Sequence, residues 1–112
     1  MDQPGSERAQ RMGEAAFEAV AATLRPEPDV EDGTGFGTNP GLRVRRKIFA
    51  ILHGGELIVK LPAERCGELV QAGRARPFEI GRRRMREWVR IAEVDEQEWL
   101  RLAREARDYV TS

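Results

Sequence analysis

At 112 residues, 40% of them hydrophobic and 34% charged, the chain is long enough to bury one core without disulfide or metal staples. No stretch approaches the roughly 18 apolar residues of a membrane span, and no basic start leads into an apolar h-region. A membrane protein or secreted precursor is therefore disfavoured, and a cytoplasmic location is expected.

The 19 Lys/Arg and 19 Asp/Glu cancel, but not evenly. Residues 1–40 hold three arginines against eight acids, residues 41–90 thirteen cations against five acids, and residues 91–112 three arginines against six acids. Such a distribution marks either a basic binding face or acidic helices lying on a basic sheet, and the second needs no partner.

Residues 1–5 read as a disordered tail, after which Ser6 caps a helix running to about Leu24. Met12, Ala16, Val20 and Leu24, with Phe17 and Ala21 beside them, keep the 3.6-residue period. Gly13 weakens this helix locally, and Pro26 ends it near Arg25. Glu27 to Gly41 is turn chemistry, rich in acids, prolines and glycines, with room for a short edge strand around Thr34 to Gly37. Its GTGFG spacing lacks the flanking strand, helix and Lys-Ser/Thr of a phosphate loop and reads as structural.

Leu42 to Arg45 alternates as a half-buried strand with an arginine face, and Arg45-Arg46 makes a tight turn. The organising element follows: Ile48 to Leu52 and Leu57 to Leu61 flank His53-Gly54-Gly55-Glu56 as a β-hairpin. Strict alternation sends Ile48, Ala50 and Leu52 one way and Phe49 and Ile51 the other. In the second strand Leu57, Val59 and Leu61 oppose Ile58 and Lys60.

Pro62 opens a short helix with Ala63, Cys66, Leu69 and Val70 on its apolar face, stopped at Gly73. Cys66, the single cysteine, reads as a small core residue. A nucleophile would need a base beside it, and the single histidine, His53, falls in a turn.

A short extension at Pro77 to Ile80 precedes Gly81 and the arginine triplet. Then Met85, Glu87, Val89 and Ile91 alternate with Arg86, Trp88 and Arg90. A buried Glu87 would need a cationic partner or a raised pKa, and a structural ion pair is the expectation. Asp95 with Glu98 forms a capping-box-like start to the last helix. Trp99, Leu102, Ala103, Ala106 and Val110 make its buried stripe, with Tyr109 at the margin. The order of elements implies an α+β domain over residues 1–112: an antiparallel β-sheet with N- and C-terminal helices packed on one face.

Lys47-Ile48-Phe49-Ala50, Leu57-Ile58-Val59-Lys60-Leu61-Pro62, Pro77-Phe78 and Met85-Arg86-Glu87-Trp88-Val89 resemble, in order and spacing, the TfoX N-terminal domain. That domain is related to the MmcQ/YjbR proteins and, in fold, to frataxin-like (CyaY-like) domains. The resemblance runs from about Phe17 to Val110 and implies the same antiparallel α+β sandwich. YjbR relatives are often labelled DNA-binding, while stand-alone members have no assigned molecular activity. This chain has no room for TfoX's C-terminal domain, so the competence role does not carry over. Glu7, Glu14 and Glu18 are too sparse to copy frataxin's iron-binding ridge, so neither iron delivery nor a cofactor is expected.

The first functional expectation is a non-catalytic binding module with a protein partner or a second copy. Its arginine-rich face would meet the acidic helix face or the acidic Asp29-Val30-Glu31-Asp32 stretch of that partner or copy. The alternative is nucleic-acid or anion binding through Arg43, Arg45, Arg46, Lys47, Arg82, Arg83, Arg84, Arg86 and Arg90, with Trp88 stacking an unpaired base. No constellation of nucleophile, base and orienting group stands out, so the chain is not expected to be an enzyme.

Overall fold

The apolar stripes read from the sequence close on one another in a computed structural model, which describes residues 4–112. In chain order the elements are α1 (Pro4–Leu24), β1 (Val30–Gly35), β2 (Asn39–Val44), β3 (Lys47–His53), β4 (Glu56–Lys60), α2 (Ala63–Gln71), β5 (Arg76–Ile80), β6 (Arg83–Ile91) and α3 (Glu96–Thr111). The strands form one antiparallel sheet ordered β1-β2-β3-β4-β6-β5. The fold is α+β, as the element order implied. No helix among the described residues is long and apolar enough to cross a membrane.

The start of the chain departs from expectation. The first helix opens at Pro4, a residue suited to a first helical turn, and not at a Ser6 cap. Pro4 and Gly5 are therefore helical, while the rest of the expected tail, residues 1–3, lies outside the described residues. Asp95 caps α3 as expected, its carboxylate accepting from the Glu98 N–H at 3.2 Å.

The main core lies between the three helices and one sheet face. Phe17, Val20 and Leu24 of α1, Cys66 and Leu69 of α2, and Trp99, Leu102 and Ala106 of α3 meet Leu42, Leu57, Val59, Leu61, Val89 and Ile91. The Trp99 ring is wholly buried, and its indole N–H donates to the Glu93 carbonyl at 2.9 Å. Met12 is exposed, because α1 turns Gly13 toward the β3–β4 turn instead. A second cluster covers the opposite sheet face: Ile51, Ile58, Phe78 and Trp88, flanked by Phe36, Ile48 and Met85.

Two register breaks alter the expected faces. Leu42 pairs with Ala50 but Arg43 with Ile48, leaving Phe49 as an extra residue in β3. This bulge puts Phe49 and Ala50 in the helix-side core and Ile48 with Ile51 on the open face. A second irregularity separates Pro77 opposite Val89 from Glu79 opposite Arg84. There Met85 joins Trp88 on the open face, against the predicted alternation, while Arg86 lines a groove beside Cys66 and Gly67 of α2.

The glycine-rich stretch also forms more strand than its composition suggests. β1 starts at Val30 and pairs along its whole length with β2. The missing side chains make room: a Cβ at Gly35 would lie 2.5 Å from the Ile51 Cδ1 and one at Gly41 3.0 Å from the Ile48 Cδ1. The open-face isoleucines therefore lie directly over bare backbone.

Candidate functional site

The arginines singled out from the sequence fall into two groups with different roles. Arg43, on the open face of β2, lies 3.2 Å from Glu31, and Arg45 lies 3.3 Å from Asp29. Arg90 bonds Glu56 at 2.7 Å and meets His53 Nδ1 at 3.3 Å, while Arg76 takes the other Glu56 oxygen at 2.7 Å. These side chains are internal counter-charges. Further pairs tie α3 to the basic segment, Arg65 with Glu105 and Arg74 with Glu98, while Arg107 of α3 holds Glu27 of the loop after α1.

Arg46, Arg82, Arg83, Arg84 and Arg86 form the other group. Each is exposed, and none makes an ion pair among the described residues. The antiparallel topology brings them together. The Arg45-Arg46 turn, the end of β4 and the β5–β6 turn all lie at one end of the sheet. Lys47 and Lys60 stand there too, also without a carboxylate partner among the described residues. Sequence reasoning left Lys60 out of the site. Its signal was that it ends β4 at the basic end of the sheet, on the same face as Ile58.

The turns have distinct backbones. Ile80 pairs with Arg83 around Gly81-Arg82, and Gly81 at φ +60° supplies the left-handed residue that a two-residue hairpin needs. In the β2–β3 turn both central residues are arginines with positive φ, 51° at Arg45 and 69° at Arg46. Asn-Gly is the relaxed choice there; each arginine costs on the order of 1 kcal/mol. Strain of this kind collects at functional positions.

Trp88 is not a stacking platform. It is 7% exposed, packs edge-on against Phe36 at 4.9 Å and 80°, and has the Lys60 ammonium 5.9 Å from its ring centroid. Cys66 is buried beneath α2, its Sγ donating to the Leu61 carbonyl at 3.5 Å, and burial pushes the thiol pKa up.

The sequence profile described as YjbR matches residues 27–109, from the end of α1 through nearly all of α3. The chain belongs to the YjbR family. The YjbR span contains every strand and both basic turns, and it leaves α1 outside. The TfoX N-terminal domain that the sequence resembles is a close relative of this family. No curated protein and no solved structure matches the chain.

Proposed function

We propose that this YjbR-family chain is a non-catalytic cytoplasmic module that binds nucleic acid through the basic end of its sheet. The observation that carries the reading is the set of seven cations there, Arg46, Lys47, Lys60, Arg82, Arg83, Arg84 and Arg86, unpaired among the described residues. Elsewhere in the molecule arginine after arginine is neutralised by a carboxylate. Charge left uncompensated in one place is what a phosphate backbone attracts.

The spacing supports a duplex. Three strand separations lie between the midlines of the two basic turns, about 14 Å. That is comparable with the roughly 12 Å major groove of B-form DNA and about twice the roughly 6 Å minor groove. Each turn then follows one backbone. The covered Trp88 also withholds the exposed aromatic platform that single strands use.

A protein partner or second copy is the weaker reading, because one of the two acidic surfaces it would use, the Asp29-Val30-Glu31-Asp32 stretch, is already paired within the chain. Asp29 pairs with Arg45, Glu31 with Arg43, and Asp32 with Arg25.

Fluorescence anisotropy of a labelled duplex, titrated at several salt concentrations, tests the proposal. Engagement of four or five phosphates gives a slope of log K against log salt of about −4. Flat traces at low salt would remove nucleic acid as the partner.

The strained turn adds a test with two readouts. Arg46→Gly relieves a positive φ and is expected to stabilise the protein by about 1 kcal/mol while weakening DNA binding several-fold. Thermal melts and the same titration measure both. A variant with weaker binding and no gain in stability would contradict the strain argument.

A further inference from the structure

Glu87 is out of place in a surface that binds only phosphate. It lines two adjoining grooves with Lys60, one beside the last turn of α3 and the other along the start of β6. Lys47 also lines the first groove, and Arg84 and Arg86 the second, yet Glu87 forms an ion pair with none of them. Its Oε1 instead accepts the Tyr109 hydroxyl at 3.0 Å, and no hydrogen bond among the described residues uses Oε2. Other carboxylates of comparable burial, Glu27, Glu56 and Glu98, are each held by arginine. A phosphodiester backbone gains nothing from a carboxylate here, since the two repel.

The first groove, about 530 Å³, falls in the usual range for small-molecule sites. Ile48 and Val110 give it apolar edges. The Lys47 ammonium donates to the Val110 carbonyl at 3.3 Å, which holds the cation at the rim without neutralising it. Hydrogen bonding to Glu87, aided by partial burial, raises the Tyr109 pKa above that of an ordinary phenol and keeps it a donor. Two uncompensated ammonium groups thus share a groove with a carboxylate that has an accepting oxygen to spare. A ligand that satisfies both carries a phosphate at one place and a hydrogen-bond donor at another.

We propose that this groove is a separate binding site for a small phosphomonoester bearing free hydroxyl groups, its phosphate on Lys47 and Lys60 and a hydroxyl donating to Glu87. The site shares Lys47 and Lys60 with the basic end of the sheet, but its selectivity rests on Glu87 and can be tested without DNA.

Isothermal titration of the full chain with inorganic phosphate, glycerol 3-phosphate and ribose 5-phosphate is the experiment. Both esters are expected to bind about tenfold tighter than inorganic phosphate, the increment of one charge-assisted hydrogen bond. Glu87→Gln, nearly isosteric, should remove most of that preference while leaving phosphate affinity in place. Lys47→Ala with Lys60→Ala should weaken all three probes. Tyr109→Phe, which keeps the carboxylate charge, should retain the preference and guards against a folding defect in the first variant. Esters that bind no tighter than phosphate, or a preference that survives Glu87→Gln, would overturn the site. So would an absence of binding by any probe. Glu87-dependent binding of a ribonucleotide oligomer, with ribose 5-phosphate ignored, would assign the carboxylate to RNA and equally overturn it.

Discussion

A Gly13→Ala variant is expected to melt about 10 °C below the parent, although helix propensity alone predicts the opposite sign. In an exposed helix interior this exchange stabilises by up to about 1 kcal/mol. Here the added Cβ would lie 1.8 Å from the Gly55 carbonyl oxygen, 2.5 Å from its carbon and 2.8 Å from its Cα. All three are backbone atoms, so no side chain can rotate away. Either α1 lifts off the sheet or the β3–β4 turn moves, and both break the packing of Phe17, Val20 and Leu24.

Overpacking costs about 1–3 kcal/mol and sometimes more. A net loss of about 2 kcal/mol corresponds to roughly 10 °C in a domain of this size. The neighbouring turn supplies a control. Gly54 and Gly55 both have positive φ, 59° and 78°, but a Cβ at Gly54 meets nothing within 4 Å, whereas one at Gly55 lies 2.6 Å from the Gln10 Cα. Gly54→Ala should therefore cost only its backbone strain, about 1 kcal/mol, and Gly55→Ala distinctly more. A stabilised Gly13→Ala protein would mean that α1 does not approach the turn this closely.

That contact also marks where sequence reading stopped. Periodicity placed α1, α2, α3 and the β3–β4 hairpin, because each has an apolar face whose spacing matches its geometry. Gly13 registered only as a weak helix residue; its purpose depends on a turn more than forty positions away. The bulge at Phe49 was hidden for a different reason. When both faces of a strand are apolar, exchanging which side Ile48 and Phe49 occupy leaves the pattern unchanged. β1 was understated because Gly-rich, acidic residues have low strand propensity, and the pairing with β2 decides their conformation.

The arginine cluster was legible as charge. Which arginines are neutralised was not, since Arg90 finds Glu56 on the neighbouring strand, 34 positions away in sequence, and Arg65 finds Glu105 on another helix. Glu87 was expected to find a cation and found Tyr109, a residue read only as the margin of a stripe.

Charge reversal of the β5–β6 turn, Arg82→Glu with Arg83→Glu and Arg84→Glu, is expected to lower affinity for duplex DNA by on the order of a hundredfold or more at moderate salt. Three phosphate contacts vanish, and three carboxylates are placed where the backbone would run. The salt slope should become shallower by nearly three units, because each neutralised phosphate contributes about 0.9. Folding should be unaffected. The three side chains are exposed and make no ion pair among the described residues, so stability should shift by no more than about 0.5 kcal/mol per site.

Arg101 and Arg104 serve as the comparison, since both sit on α3 in pairs with Glu98 and Glu27. Reversing those two changes the net charge by four units, against six for the triplet, and touches no unpaired cation. Only the weak long-range field is lost, and affinity should fall several-fold. If both sets lowered affinity equally, the protein would be responding to net charge alone, and the basic end would have no special claim to the phosphates. A hundredfold gap between them, at matched stability, would locate the contact at the β5–β6 turn.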